Sequence, residues 1–478
     1  MMTPPKDTGI RPPVAIWLCA LTVLAACVRI VGINRGPWWD EIYFAVVSVR
    51  KPLWQIVTVF PGDNQHPLYS ILARLSVVAF GEHIWSLRLP ALVFGVAAIP
   101  ALYLLTTAVA TRMEALVSAG FLAVSYHHVW FSQNARGYTA LAFFAVLATF
   151  FLVRGIQTGR RGAYLAYGVA AALGVYTHLT MAFLVASHVL IVAGLAFADW
   201  KKGAGWSQRK YALQGFLLGG GLTLLFYAPI LFQVQNFFLH RPSSMRGIST
   251  PGWALREALR VLSLGLGTWA VLAGAALVAA CGAWSYWKQS RLVFALFALP
   301  AVLTALGALA ARGTMYPRFY FFLIGFAVVI LVRGLFVIPR WIVPARAGLL
   351  TAILMAILLA GSCLSLARNY RYPKQDFAGA IGFIDQQKHA GDDVITVGAA
   401  IYPLREYYAK PWEGVEDVEK LRQICRQGPV WVLYTFPRYL EIGRPEINQV
   451  IKRDFELVRV FPGTVGDGDV YVGRYPRE

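Results

Sequence analysis

Acidic residues are scarce in this 478-residue chain, with 24 Asp and Glu against 44 Lys and Arg. Residues 367–478 carry 16 of each sign, so 1–366 holds 28 basic and only eight acidic residues. A basic excess of this size raises the question of nucleic acid. The basic residues, however, sit at the ends of apolar runs, where they meet lipid phosphates and bias loops toward the cytoplasm. Nothing resembles a nucleic-acid module, and nucleic acid is not an expected partner. Cysteine is also sparse: Cys19, Cys27, Cys281, Cys363 and Cys425 lie far apart, giving neither a disulfide framework nor metal-ligand spacing. Repeats and low-complexity linkers are missing as well.

Apolar sequence is abundant. Hydrophobic residues make up 58% of the chain and charged residues 14%, more apolar surface than a soluble fold of this length can hide. Val14–Val31, Ala212–Ile230 and Leu349–Leu366 are nearly uncharged runs, each about 20 residues, the length that crosses a hydrocarbon core. The first follows Lys6 and Arg11, lacks a small-residue cleavage site, and reads as a retained helix.

Helix length and loop charge predict about eleven spans. They are Val14–Ile33, Leu89–Ala108, Ala115–Phe131, Thr139–Val153, Ala163–Tyr176, Ala182–Phe197, Ala212–Leu231, Leu259–Trp284, Val293–Ala310, Phe319–Val332 and Ala347–Leu366. Arg112, Arg154, Arg160, Arg161, Lys201, Lys202, Arg209, Lys210, Lys288, Arg291, Arg333, Arg340 and Arg346 then fall in inner connections. An odd number of spans places the C-terminus outside. Within the outer connector 34–87, Leu68–Phe80 is too short to span and reads as an interfacial helix, with Arg74 at the polar boundary.

The expected fold is thus a polytopic α-helical membrane domain, 1–366, followed by a small α/β domain, 367–478. In the latter, Asp376–Lys388 and Val415–Arg426 read as helices, and Val394–Val397, Val430–Tyr434, Phe455–Val460 and Asp469–Val472 as strands.

Four of the eight acids, Asp40, Glu41, Asp63 and Glu82, lie in the first outer connector. Asp40 has two readings: an N-cap for a short helix beside an interfacial Trp pair, or a general base for an acceptor hydroxyl. Arg136 is an outer-side guanidinium that positive-inside bias does not explain. It either snorkels to headgroups or grips a phosphate bidentately, and Arg318 presents the same choice. His66 is either part of an interfacial loop, with Pro67 starting a helix, or a cation near a lipid phosphate. A lone loop histidine such as His178 is more often structural than a ligand.

These residues lie in ordered motifs: Trp38-Trp39-Asp40-Glu41, His66-Pro67-Leu68-Tyr69, Arg88-Leu89-Pro90, Ser132-Gln133-Asn134-Ala135-Arg136-Gly137-Tyr138 (after His127 and His128) and Tyr316-Pro317-Arg318-Phe319-Tyr320. In order and placement they resemble GT-C glycosyltransferases of the protein O-mannosyltransferase and lipid A aminoarabinose transferase type. The resemblance is densest in the first 180 residues. It implies transfer of a sugar, with inversion, from a polyprenyl-phosphate donor to a lipid, glycan or protein acceptor on the outer face. A bacterial inner membrane is expected separately, because Tyr475-Pro476-Arg477-Glu478 is no eukaryotic retention signal.

Under that resemblance Asp40 is the essential first-loop acid with Glu41 beside it. His66, Arg136 and Arg318 hold the donor phosphate, while Tyr69, Asn134, Tyr138, His178 and Tyr316 line the substrate site. No cofactor is required. A divalent cation is possible, although Asn134 stands where the family often has a second acid. The aminoarabinose branch has lysine near His66, so a phosphate-binding role there calls for a protonated histidine. A lipid-linked-glycan transporter or flippase fits the spans equally well, but transporters place their charges near the bilayer midplane. Convergence of Asp40, Arg136 and Arg318 on one outward cavity separates the two readings, because the enzyme requires it.

Overall fold

The computed structural model describes residues 12–62, 65–203, 209–240, 251–310 and 316–476. Lys6, Arg11, Asp63 and the terminal Arg477-Glu478 lie outside the described residues. Eight helices among these residues are long and apolar enough to cross a membrane: Pro13–Ile30, Ile84–Val109, Tyr138–Thr158, Met181–Lys201, Lys210–Leu239, Trp269–Gln289, Pro317–Ile342 and Pro344–Arg371. In lipid every backbone amide must be satisfied within the helix, which is why such apolar runs fold this way.

The remaining expected spans are present as shorter or broken helices. Arg161–Thr177 has 17 residues, and Arg291–Ala310 carries an internal Pro300. The expected Ala115–Phe131 span is two helices, Arg112–Val124 and Tyr126–Ser132, parted at Ser125. That break strands carbonyls, and Arg29 of the first helix serves them. Its Nη1 donates to the Ala123 carbonyl at 2.8 Å and its Nη2 to the Leu122 carbonyl at 3.2 Å.

Two expectations need correction. Leu259–Trp284 is not one helix: Pro251–Leu266 and Trp269–Gln289 are separated at Gly267, whose φ is 90°. Thr268 restarts the chain as an N-cap, accepting from the Val271 amide at 3.2 Å. The flanking apolar residues hid this break from a hydropathy window. Arg333 lies within a helix and not in a connection. It is buried against Glu114, Nη1 to Oε1 2.8 Å, with its Nε on Ser285 Oγ at 3.0 Å.

The connector after the first helix holds Trp39–Phe44, a π turn Ala45–Val49, Leu53–Thr58 and the 14-residue Pro67–Phe80. The last packs on Ile84–Val109, with the Tyr69 hydroxyl donating to the Leu87 carbonyl at 2.8 Å.

The C-terminal part is a five-stranded mixed sheet built from β1 (Asp393–Val397), β2 (Glu413–Val415), β3 (Val430–Thr435), β4 (Glu456–Phe461) and β5 (Val470–Tyr475) in the order β2-β1-β3-β5-β4. The β1 strand pairs in parallel with β2 and β3, whereas β5 is antiparallel to β3 and β4. Helix Phe377–Gln387 covers one face; Val418–Gln427 and Pro445–Asp454 cover the other. The expected helix from Val415 starts later, because Val415 ends β2 and Asp417 caps the helix through the Lys420 amide at 3.1 Å.

The two parts interlock at the first connector. Ile42 is fully buried in the same apolar core as Phe377 and Val472. Trp39 donates from Nε1 to the Ala399 carbonyl at 2.8 Å, and from its amide to Gln375 Oε1 at 2.7 Å. The short Trp39–Phe44 helix is therefore held on the membrane side and by the sheet domain at once.

Candidate active site

Asp40 and Glu41 are adjacent in sequence and differ sharply in surroundings. Glu41 is 1% exposed. Its carboxylate accepts Arg88 Nε on Oε1 at 2.7 Å and Arg88 Nη2 on Oε2 at 2.6 Å. It also accepts the Ala135 amide at 2.6 Å and the Trp38 amide at 3.3 Å. Burial opposes ionisation of Glu41, but Arg88, Lys374 and the Ala135 amide outweigh it and hold the carboxyl below its usual range. Arg88 continues to the carbonyls of Ile33 at 2.7 Å and Arg35 at 2.9 Å. Glu41 thus ties three chain segments together and has no lone pair to spare for an acceptor.

Asp40 instead pairs with Arg318, Oδ2 to Nη1 3.0 Å, in a partly exposed contact. Arg318 reaches it from the turn that begins the Pro317–Ile342 span, bringing together side chains 278 positions apart. The guanidinium rests over the Tyr316 ring at 4.4 Å, and its Nε is buried with no protein acceptor.

His66, Tyr138 and His178 form a ring cluster next to this pair. The His66 ring centroid is 4.9 Å from Tyr138 and 4.8 Å from His178, and His178 is 5.7 Å from Phe319. Arg136 lies beside Tyr138, 6.0 Å from its ring centroid. Gly137 makes the approach possible, since a Cβ there would meet His66 Nδ1 at 2.8 Å and Thr177 Cγ2 at 2.9 Å. Burial, and then Arg136, His178 and Arg318, push the His66 imidazole well below its ordinary range. Burial followed by Arg136 and Arg318 lowers His178 to about 3. Both rings are therefore neutral near pH 7. The protonated His66 that a phosphate-binding role called for is disfavoured, and its neutral N–H can still donate.

Asn134 uses Oδ1 to accept Trp38 Nε1 at 3.1 Å, and its amide nitrogen is buried without an acceptor. Neither nitrogen of His66 nor the Tyr138 hydroxyl has a protein partner. Buried polar groups are rarely left this way. Together with Arg318 Nε these atoms make a concentrated set of unused hydrogen-bonding groups beside Asp40.

Tyr316 is linked to the C-terminal domain, with its hydroxyl 2.5 Å from that of Tyr439. Tyr439 carries no sequence signal for the site, and the fold alone brings it there. Arg88 did have a signal, an outer-side arginine in a short motif, but sequence assigned it no role. Tyr69 is turned away, its hydroxyl spent on the Leu87 carbonyl. Asp40, Arg318, Arg136, His66, Tyr138 and His178 lie near one another, but not around the outward cavity expected of an enzyme. The site is roofed: His66 and Asn134 are fully buried.

The donor set does not fit a divalent cation. Asp40 is paired with a guanidinium, Glu41 is consumed by Arg88, and Asn134 supplies an amide. No three His, Cys, Asp or Glu side chains gather around a common point among the described residues.

Residues 64–232 match the family model described as dolichyl-phosphate-mannose-protein mannosyltransferase. By sequence, no curated protein matches the chain. Among solved structures, ArnT from Cupriavidus metallidurans bound to undecaprenyl phosphate superposes with a TM-score of 0.55 at 14% identity, covering 96% of this chain and 97% of that one. The archaeal oligosaccharyltransferase AglB from Archaeoglobus fulgidus, in complex with an inhibitory peptide and a dolichol-phosphate, gives 0.53 at 11% identity, over 91% and 71%. The shared fold extends through the C-terminal sheet domain in the first case, and at these identities it is the architecture that is shared. The family match thus covers residues 64–232, and the architecture that the chain shares with ArnT and AglB extends well beyond that region.

Proposed function

We propose that this protein transfers a sugar from a polyprenyl-phosphate donor to an acceptor hydroxyl at the outer membrane surface, with inversion at the anomeric carbon. The observation that carries the proposal is the direct pairing of Asp40 with Arg318, set beside the unused polar groups of His66, Tyr138 and Asn134. A base for the acceptor and donors for a phosphate thus occupy one place. The ArnT and AglB matches support a lipid-phosphate partner, since those proteins are bound to undecaprenyl phosphate and to a dolichol-phosphate.

In the reaction the acceptor oxygen bonds to the anomeric carbon while the bond from that carbon to the phosphate oxygen breaks. The acceptor proton passes to Asp40 and the electron pair leaves with the phosphate. Charge grows on the phosphate as the bond breaks, so preplaced donors there stabilise the transition state more than the ground state. Arg318 Nε, Arg136 and the neutral His66 N–H are placed to do this. Arg318 has a second part: a donor phosphate competes with Asp40 for its guanidinium, so donor binding frees the carboxylate as it arrives. Glu41 and Arg88 position the Asp40 loop against the Asn134–Arg136 loop. The C-terminal domain holds Tyr316 through Tyr439 and bears on the acceptor side.

The test is transfer by purified protein from a panel of polyprenyl-phosphate sugars to lipid, glycan and peptide acceptors, with the product anomer read by NMR. Transfer with an inverted anomer supports the proposal. A retained anomer would overturn the single displacement, and donor translocation across a vesicle without transfer would favour the flippase reading.

A further inference from the structure

At the end of the bundle opposite Asp40 lies a cleft with no part in this chemistry. Helices Trp269–Gln289 and Pro317–Ile342 cross closely because Gly282 and Gly334 occupy the crossing. A Cβ on Gly282 would strike the Ile330 carbonyl, and one on Gly334 the Val278 carbonyl. Beyond the crossing the two helices enclose a cleft of about 300 Å³, at the small end of the range for ligand sites. Its walls are Trp284, Ser285, Lys288, Arg333, Arg340 and Trp341, with Gln289 and Val337.

Three cations face one acid there. Glu114 neutralises Arg333, whose head is fixed by that pair and by Ser285. Lys288 and Arg340 have no acidic partner among the described residues, and Lys288 Nζ sits 4.8 Å from the Trp284 ring centroid. Cations in the last turn of a helix complement its dipole, which accounts for Lys288 and Arg340 singly but not for their convergence with Arg333 on one cleft. Trp284 and Trp341 are 53% and 55% exposed at its mouth. Tryptophans of that kind mark the headgroup level of a bilayer. A soluble anion would find no reason for this apolar rim.

We propose that this cleft binds the phosphodiester headgroup of an anionic membrane lipid, with Lys288 and Arg340 on the phosphate and Trp284 and Trp341 against the glycerol and upper acyl chains. Basic pockets between membrane helices are suited to such headgroups.

The test uses delipidated full-length protein in detergent, titrated with dioleoyl phosphatidylglycerol and read by native mass spectrometry. Phosphatidylcholine and inorganic phosphate form the other two arms. Phosphatidylglycerol should be retained and phosphatidylcholine should not. A Lys288→Gln/Arg340→Gln variant should weaken retention about thirtyfold, from roughly fivefold per basic residue at a lipid surface. Arg160→Gln/Arg346→Gln, the same loss of two charges outside the cleft, should leave retention unchanged. Both cleft cations are exposed, so an unaltered melting temperature verifies folding of the double variant. Equal weakening by Arg160→Gln/Arg346→Gln would reduce the effect to diffuse surface charge and overturn the cleft. Full retention by the double variant, or displacement of the lipid by millimolar inorganic phosphate, would overturn the lipid site.

Discussion

Asp40 and Glu41 should respond oppositely to the loss of a charge. Arg88→Met leaves the Glu41 carboxylate, 1% exposed, with only the Ala135 and Trp38 amides as donors. It also removes the donor to the Ile33 and Arg35 carbonyls. Breaking a buried ion pair from one side costs about 3–5 kcal/mol. Glu41→Gln keeps the shape and loses less, because Arg88 retains its carbonyl partners. The double variant should fall short of the sum by about 1–3 kcal/mol, the coupling expected for groups in direct contact. Asp40→Asn weakens a pair in which Asp40 is 6% exposed, but the amide oxygen still accepts from Arg318, so it should cost about 1–2 kcal/mol, less than Arg88→Met. The assay is equilibrium unfolding in mixed micelles, run alongside transfer rates for the same four proteins. Arg88→Met and Glu41→Gln should lose stability first and turnover in proportion, whereas Asp40→Asn should lose far more turnover than its small loss of stability explains. A stable but inactive Glu41→Gln would refute the division of labour and return Glu41 to the chemistry.

Three further outcomes follow from the geometry. Tyr439→Phe removes the hydroxyl partner of Tyr316; it should cost about 1 kcal/mol or less in stability and raise KM for the acceptor more than it lowers kcat. A His178→Gln protein should show a shallower loss of stability in acid. The wild-type ring, held to about 3 in the fold, takes up no proton between pH 6.5 and 5 while the unfolded chain does, so stability falls as pH drops, by up to about 2 kcal/mol. Melting of both proteins at pH 7.5 and pH 5 measures the difference. Gly334→Leu should separate the two crossing helices and destabilise the protein by about 1–3 kcal/mol or more, seen as a lower melting temperature.

The membrane architecture was legible because lipid imposes one rule, long apolar runs that satisfy their own backbone, and most of the chain obeys it. The breaks at Ser125 and Gly267 were not legible, because both are flanked by apolar residues and depend on distant or local partners. Arg29 supplies the donors at one, and the Thr268 cap at the other. The loop motifs announced Asp40, Arg136, Arg318, His66 and Tyr138 through residue type and order. They could not separate Asp40 from Glu41, since the difference lies in which carboxylate Arg88 reaches across the fold. His66 read as a possible cation on sequence alone. Only its burial and the neighbouring guanidiniums show why it stays neutral. Tyr439, from a domain with no catalytic signature, enters purely through docking on the Trp39–Phe44 helix.

The most direct measurement of the central claim compares wild-type protein with Asp40→Asn for donor binding and for sugar transfer, using a polyprenyl-phosphate sugar that the wild type accepts. Retained donor binding with transfer reduced by several orders of magnitude is the predicted result, since the asparagine still fits the loop but takes no proton. Transfer at the wild-type rate by Asp40→Asn would contradict the account and remove Asp40 from the reaction.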